Sequence, residues 1–180
     1  MVRSQLTYCS QIWRPHLIKD ILSIEKIQRR ATKFILNDFS SDYKSRLVSL
    51  GLLPLMFLYE LFDILFFLKC LKFPESSFVV ESYVTFSSLP TRSGSNTKLV
   101  HKYTSTSLAR HSYFCRLARI WNALPPLDLS LSFSELKHQI KEFFWNIFLQ
   151  RFNPDIPCSY HFICPCGRCS HTTTKTNFTL

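Results

Sequence analysis

The sequence predicts a mainly α-helical protein: a small helical assembly with an extended, short-strand insert and a Cys-rich C-terminal tail. Three observations predict it. Apolar residues recur at helical spacing in several separate stretches. Three glycines against 17 phenylalanines leave little for tight hairpins. Four cysteines crowd into residues 158–169, beyond the last helical pattern.

Pro15 suits the first turn of a helix, where its missing N–H has no intrahelical partner. From there Leu17, Ile21, Ile24, Gln28, Ala31 and Ile35 follow the stripe of an amphipathic helix. On its other side Lys19, Lys26, Arg30 and Lys33 share one narrow sector, with Arg29 at its margin. Such a sector suits a run of phosphates, and equally the solvated outside of a helix. Asn37 to Ser41 reads as a break, and Tyr43 to Leu50 as a short helix stopped at Gly51.

Pro54 opens the apolar run of residues 55–73. Its leucines and phenylalanines each gain about 0.3–0.6 kcal/mol in a bilayer, whereas a central charge costs roughly 2.5–3.5 kcal/mol. Glu60, Asp63 and Lys69 cancel the gain, so the segment reads as a buried core helix and no membrane partner is expected. Residues 74–106 are rich in Ser, Thr and Pro, with alternation at Val79–Phe86 and Lys98–Tyr103 that suits isolated strands. A further helix is expected over Leu108–Leu124, ended by Pro125 and Pro126. Ser132 and Glu135 form a capping box for the last helix, whose stripe is Phe133, Leu136, Ile140, Phe143, Phe144 and Ile147, running to about Arg151. The chain thus divides into a helical region 1–73, a linker or edge hairpin 74–106, C-terminal helices 107–151, and a Cys-rich knuckle with a disordered end over 152–180.

The net charge of +10 is uneven. Residues 91–123 carry six basic side chains, Arg116 and Arg119 among them, and no acid. Basic blocks of this kind attract polyanions such as nucleic acid. No GxGxxG or GxxxxGK[ST] pattern occurs, which excludes nucleotide binding by those routes. The first ten residues lack a secretory pattern, so the expected setting is intracellular, nuclear or cytoplasmic. There, the crowding of four of the seven cysteines into residues 158–169 favours metal or free thiols over a disulfide framework. Cys158, Cys164, Cys166 and Cys169, with His161 and His171 as alternates, have ligand types and close spacings that suit a tetrahedral zinc ion, although Cys164 and Cys166 stand closer than in a standard finger.

Five blocks occur in order: LTYCSQIWRPHLIKDILSIEKIQRRATKFI, YKSRLVSLGLLPL, LPTRSGSNTKLV, FCRLARIWNALPP and NPDIPCSYHFICPCGRC. Together they resemble the region that follows the polymerase core in LINE-type, jockey-like non-LTR retrotransposon reverse transcriptases. The resemblance spans Leu6 to Cys169. It implies a thumb-side, C-terminal role in holding RNA and DNA, and an upstream polymerase domain against which Leu6–Trp13 would pack. Catalysis is not expected, because no Asp-Asp pair stands in the sequence to hold two metal ions, and Asp38 and Asp42 sit where turns and caps need them. At residues 57–59, where the resemblance implies a basic pair, the chain has Phe57, Leu58 and Tyr59. The other class of function open to such a chain is a small helical protein-interaction module whose apolar helix 54–73 docks a partner, the basic blocks being merely solvated.

Overall fold

The computed structural model describes residues 2–73, 83–87, 98–100 and 106–163. These residues are mainly helical: α1 Val2–Thr7, α2 Ser10–Trp13, α3 Ile18–Leu36, α4 Tyr43–Ser49, α5 Leu55–Lys72, α6 Ser107–Arg110, α7 Tyr113–Ala123 and α8 Phe133–Arg151, then a 3-10 turn at Pro157–Tyr160. The centre is α5. Apolar on nearly every side, it buries Leu55, Phe57, Tyr59, Leu61, Ile64, Phe67 and Leu68, as a helix must when others surround it. Phe57 meets Phe144 and Phe148 of α8 edge-on, each at 6.4 Å, and Phe67 meets Trp121 of α7 at 4.9 Å. Phe57 and Tyr59 therefore serve the core.

The capping box at Ser132 and Glu135 is formed, and the expected α8 stripe faces inward through Leu136, Ile140, Phe144 and Ile147. Asp42 caps α4 by accepting from the N–H groups of Lys44 and Ser45. Gly51, at φ +60°, lies in the left-handed region just past that helix, where a side chain would be strained.

Four features differ from the sequence expectation. Residues 2–13 form two short helices that hold to α5: the Tyr59 hydroxyl donates to Leu6 O at 2.6 Å, and Trp13 packs edge-on to Tyr59. Pro15 lies in the connection ahead of α3, which begins at Ile18. The inward face of α3 is Ile21, Glu25, Gln28 and Thr32, rotated away from Ile24, Ala31 and Ile35. The reason is polar. Glu25 accepts the Leu55 N–H at 3.0 Å and the Tyr43 hydroxyl, and Gln28 donates to Tyr43 Oη and Leu53 O, both at 3.1 Å. These bonds satisfy backbone groups at the start of α5 that burial would otherwise leave unpaired. The helix expected over 108–124 is broken at His111 and Ser112, which frees the His111 carbonyl to accept from Arg116 Nη1 at 2.6 Å.

Of the extended insert, the described pieces pair through one antiparallel bridge, Phe86 with Leu99. Asn122 of α7 takes the place of a further strand, accepting the Leu99 N–H and donating to its carbonyl, both at 2.8 Å. The rest of 74–105 lies outside the described residues. So does the tail from 164 onward, but its beginning is core: Phe152, Tyr160 and Phe162 are all buried, and Phe162 packs on Phe143 and Phe144.

Burial pushes the Glu25 carboxyl up to about 7, against the Tyr43 hydroxyl, the Leu55 N–H and the charges of Arg29 and Arg3. A raised folded value means that the fold prefers the proton. That preference is complete below about 4.5 and is lost as pH rises through about 7. At about 1.4 kcal/mol per pH unit it amounts to roughly 3 kcal/mol. The unfolding free energy of the wild type minus that of Glu25→Gln should fall by about that much between pH 4.5 and 8, measured by urea titration. A pH-independent difference would show that Glu25 does not titrate with folding.

Candidate functional site

The basic sector of α3 stands on the surface. Lys19, Lys26 and Arg30 are exposed and Lys33 is half-buried. Among the described residues, none of the four makes an ion pair with a carboxylate. Arg29 is different. Its Nη2 donates to Pro154 O at 3.0 Å and to the Tyr160 hydroxyl, and its guanidinium carbon lies 4.7 Å from the centre of the Tyr43 ring. Arg29 is therefore a brace between α3 and the segment after α8, where it gains hydrogen bonds and a ring face together.

The strongest concentration of charge lies inside. Glu60 and Asp63 share one face of α5 at i, i+3 spacing and are fully buried. Arg14, just beyond α2, donates Nη2 to Glu60 at 2.9 Å and Nη1 to Asp63 at 3.0 Å. Arg116 of α7 reaches the same Asp63 oxygen with Nε at 3.3 Å and gives its other nitrogens to the carbonyls of His111 and Gln11. The Phe162 N–H donates to Glu60 at 2.7 Å. His161 Nδ1 stands 3.5 Å from Glu60 Oε1, longer than an ordinary hydrogen bond. Burial raises the Glu60 carboxyl, but Arg14, His161 and the Phe162 N–H outweigh it and hold the group below its usual value. At Asp63 burial wins and the carboxyl is held above its usual value, against the pull of Arg14 and Arg116.

Sequence reasoning placed Arg116 on a nucleic-acid surface. In the structure it is buried and engaged on Asp63, because two neighbouring carboxylates inside the protein need cations more than the surface does. Arg119, one turn on, is partly exposed beside this cluster. Arg14, Glu60 and Asp63 were not anticipated as a group. Their signal was present as two acids three residues apart in an otherwise apolar helix, a pattern that requires buried cations from elsewhere in the chain.

Of the metal-ligand set, Cys164, Cys166, Cys169 and His171 lie outside the described residues. Cys158 has a free, half-buried thiol in the 3-10 turn. His161 is buried with Nδ1 toward Glu60, the orientation a carboxylate gives to a ligating imidazole. Among the described residues no three His, Cys, Asp or Glu side chains gather as a metal site. Asp38 and Asp42 are occupied: Asp38 accepts the N–H groups of Ser40 and Ser41, and Asp42 caps α4. No helix of the described residues is long and apolar enough to cross a membrane. Comparison of the chain with protein-family models, curated proteins and solved structures returns no match in any of the three.

Proposed function

We propose that the chain is a non-catalytic nucleic-acid-binding region, of the kind that follows the polymerase core in LINE-type reverse transcriptases, and that α3 tracks the phosphate backbone of RNA or DNA. The observation that carries this is the set Lys19, Lys26, Arg30 and Lys33 on one side of one helix, without a carboxylate partner among the described residues. Cations left unpaired on a rigid helix release counterions from a polyanion at little ordering cost. The absence of an Asp-Asp pair, and the turn and capping duties of Asp38 and Asp42, support a role outside the chemistry of polymerisation. The reading includes an intracellular setting and an upstream polymerase domain as partner, for which Tyr8 and Ile12 offer exposed apolar surface. It also includes a structural zinc in the tail, held by Cys164, Cys166, Cys169 and one of Cys158, His161 or His171. Elemental analysis of protein purified under reducing conditions should then find about one zinc per chain, and none in Cys166→Ser, while helical content stays unchanged.

A second reading is a protein-interaction module without a nucleic-acid role; the helix expected to dock its partner, 54–73, is buried as α5, so the surface that favours this reading is instead the exposed Ile27, Phe34, Ile35 and Phe39. Salt dependence separates the two. Replacing Lys26, Arg30 and Lys33 together by Gln should flatten the slope of log affinity against log salt by about 2–3 units for RNA and DNA alike. Arg29→Gln should leave that slope in place and lower stability instead, since its guanidinium is spent on Pro154 and Tyr160. An unchanged slope in the triple variant would return α3 to an ordinary solvated face and favour the interaction module.

A further inference from the structure

A cleft opens between the connection ahead of α3 and the helix α7, walled in part by Arg14, His16, Glu60, His111, Arg116 and Arg119. Its charges do not balance. Arg14 is engaged on Glu60 and Asp63, and Arg116 on Asp63, so two guanidiniums meet two carboxylates. Arg119 is a third guanidinium; among the described residues its hydrogen bond is to the Arg110 carbonyl at 3.4 Å, and Glu60 acts on it only at longer range. Among the described residues no carboxylate comes within ion-pair reach of it.

Beside Arg119 the rings of His16 and His111 stack at 4.5 Å, tilted by 20°. Burial, followed by His16, Arg119, Arg110 and Arg116, pulls the His111 imidazole down to about 4. It is neutral near pH 7, and a neutral imidazole still offers one N–H. The cleft is lined by one guanidinium, a planar fork of donors, without a carboxylate ion-pair partner among the described residues, and by two imidazoles stacked face to face. A planar fork matches two oxygens of a phosphate, and the surplus of one positive charge matches the single negative charge of a phosphodiester.

We propose that this cleft binds one phosphate group, gripped by Arg119 and assisted by N–H donors of His16 and His111. The shared chemistry is a tetrahedral phosphate, from a nucleic-acid backbone or free in solution. The backbone source rests on the function proposed for α3, whereas the site itself does not.

The test titrates the full chain with inorganic phosphate and, separately, with the oligonucleotide (dT)12, and follows the imidazole NMR signals of His16 and His111. Both signals should shift saturably with inorganic phosphate, and Arg119→Gln should weaken that binding by about tenfold or more, as expected for a charge-assisted bond. Arg119→Lys, which keeps the charge without the fork, should fall between the two and guards against a folding defect. If (dT)12 produces the same shifts and competes with phosphate, the backbone is the source. If phosphate binds and (dT)12 does not, the site stands as one for free phosphate, and the nucleic-acid reading fails on its own. Should phosphate leave both signals unmoved, or bind Arg119→Gln as tightly as wild type, the site is overturned. In that case (dT)12 binding that still depends on α3 would leave the proposed function intact.

Discussion

The structure depends on two carboxylates buried in its central helix. Glu60 and Asp63 sit where α5 is otherwise apolar, and an ionised carboxylate in such surroundings is strongly unfavourable unless cations and N–H groups reach it. Among the described residues, the groups that reach them come from different parts of the chain: Arg14 from the N-terminal segment, Arg116 from α7, and the Phe162 N–H with His161 from the segment after α8. A buried ion pair of this kind adds little net stability compared with a well-packed apolar alternative. Its effect is on specificity, because an arrangement that leaves either carboxylate unpaired is heavily penalised. The cluster thereby fixes which segments surround α5, and aromatic packing around Phe57, Phe67, Phe144 and Phe162 fills the space so defined.

The same logic shapes α3. Its inward face is polar because Glu25, Gln28 and Thr32 serve Tyr43, Arg46 and the entry to α5 through hydrogen bonds. Turning that face inward leaves Ile27, Phe34 and Ile35 exposed on one flank, with the lysines and Arg30 on the other. A single rotation of one helix thus produces both the basic surface and the apolar surface on which the two functional readings rest.

Legibility in the sequence followed how local the determining interaction is. The α8 helix was readable because its capping box and its stripe lie within one segment, and α5 because an apolar run with three charges suits a core better than a bilayer. The orientation of α3 was not readable, since Glu25 looks like a surface residue until Tyr43 and the Leu55 N–H are brought to it. Lys19, Lys26, Arg30 and Lys33 were placed correctly on an outer face, whereas Arg29 and Arg116 were drawn inward by partners more than fifty residues away. Phe162 read as part of a loose tail because its cover, Phe143 and Phe144 of α8 and Glu60 of α5, comes to it only in three dimensions, and Tyr160 because Arg29 of α3 reaches it from more than a hundred residues away. No local pattern marks such residues.

The central claim is that one buried charge cluster ties the N-terminal segment, α7 and the segment after α8 to α5. Arg14→Met tests it most directly, because it removes the cation shared by both carboxylates while keeping the bulk of the side chain. Urea denaturation, read alongside limited proteolysis, should show a loss of about 3–5 kcal/mol with new cleavage both before Arg14 and within 152–163. A loss below about 1 kcal/mol, the range of an exposed ion pair, with the proteolytic pattern unchanged, would contradict it.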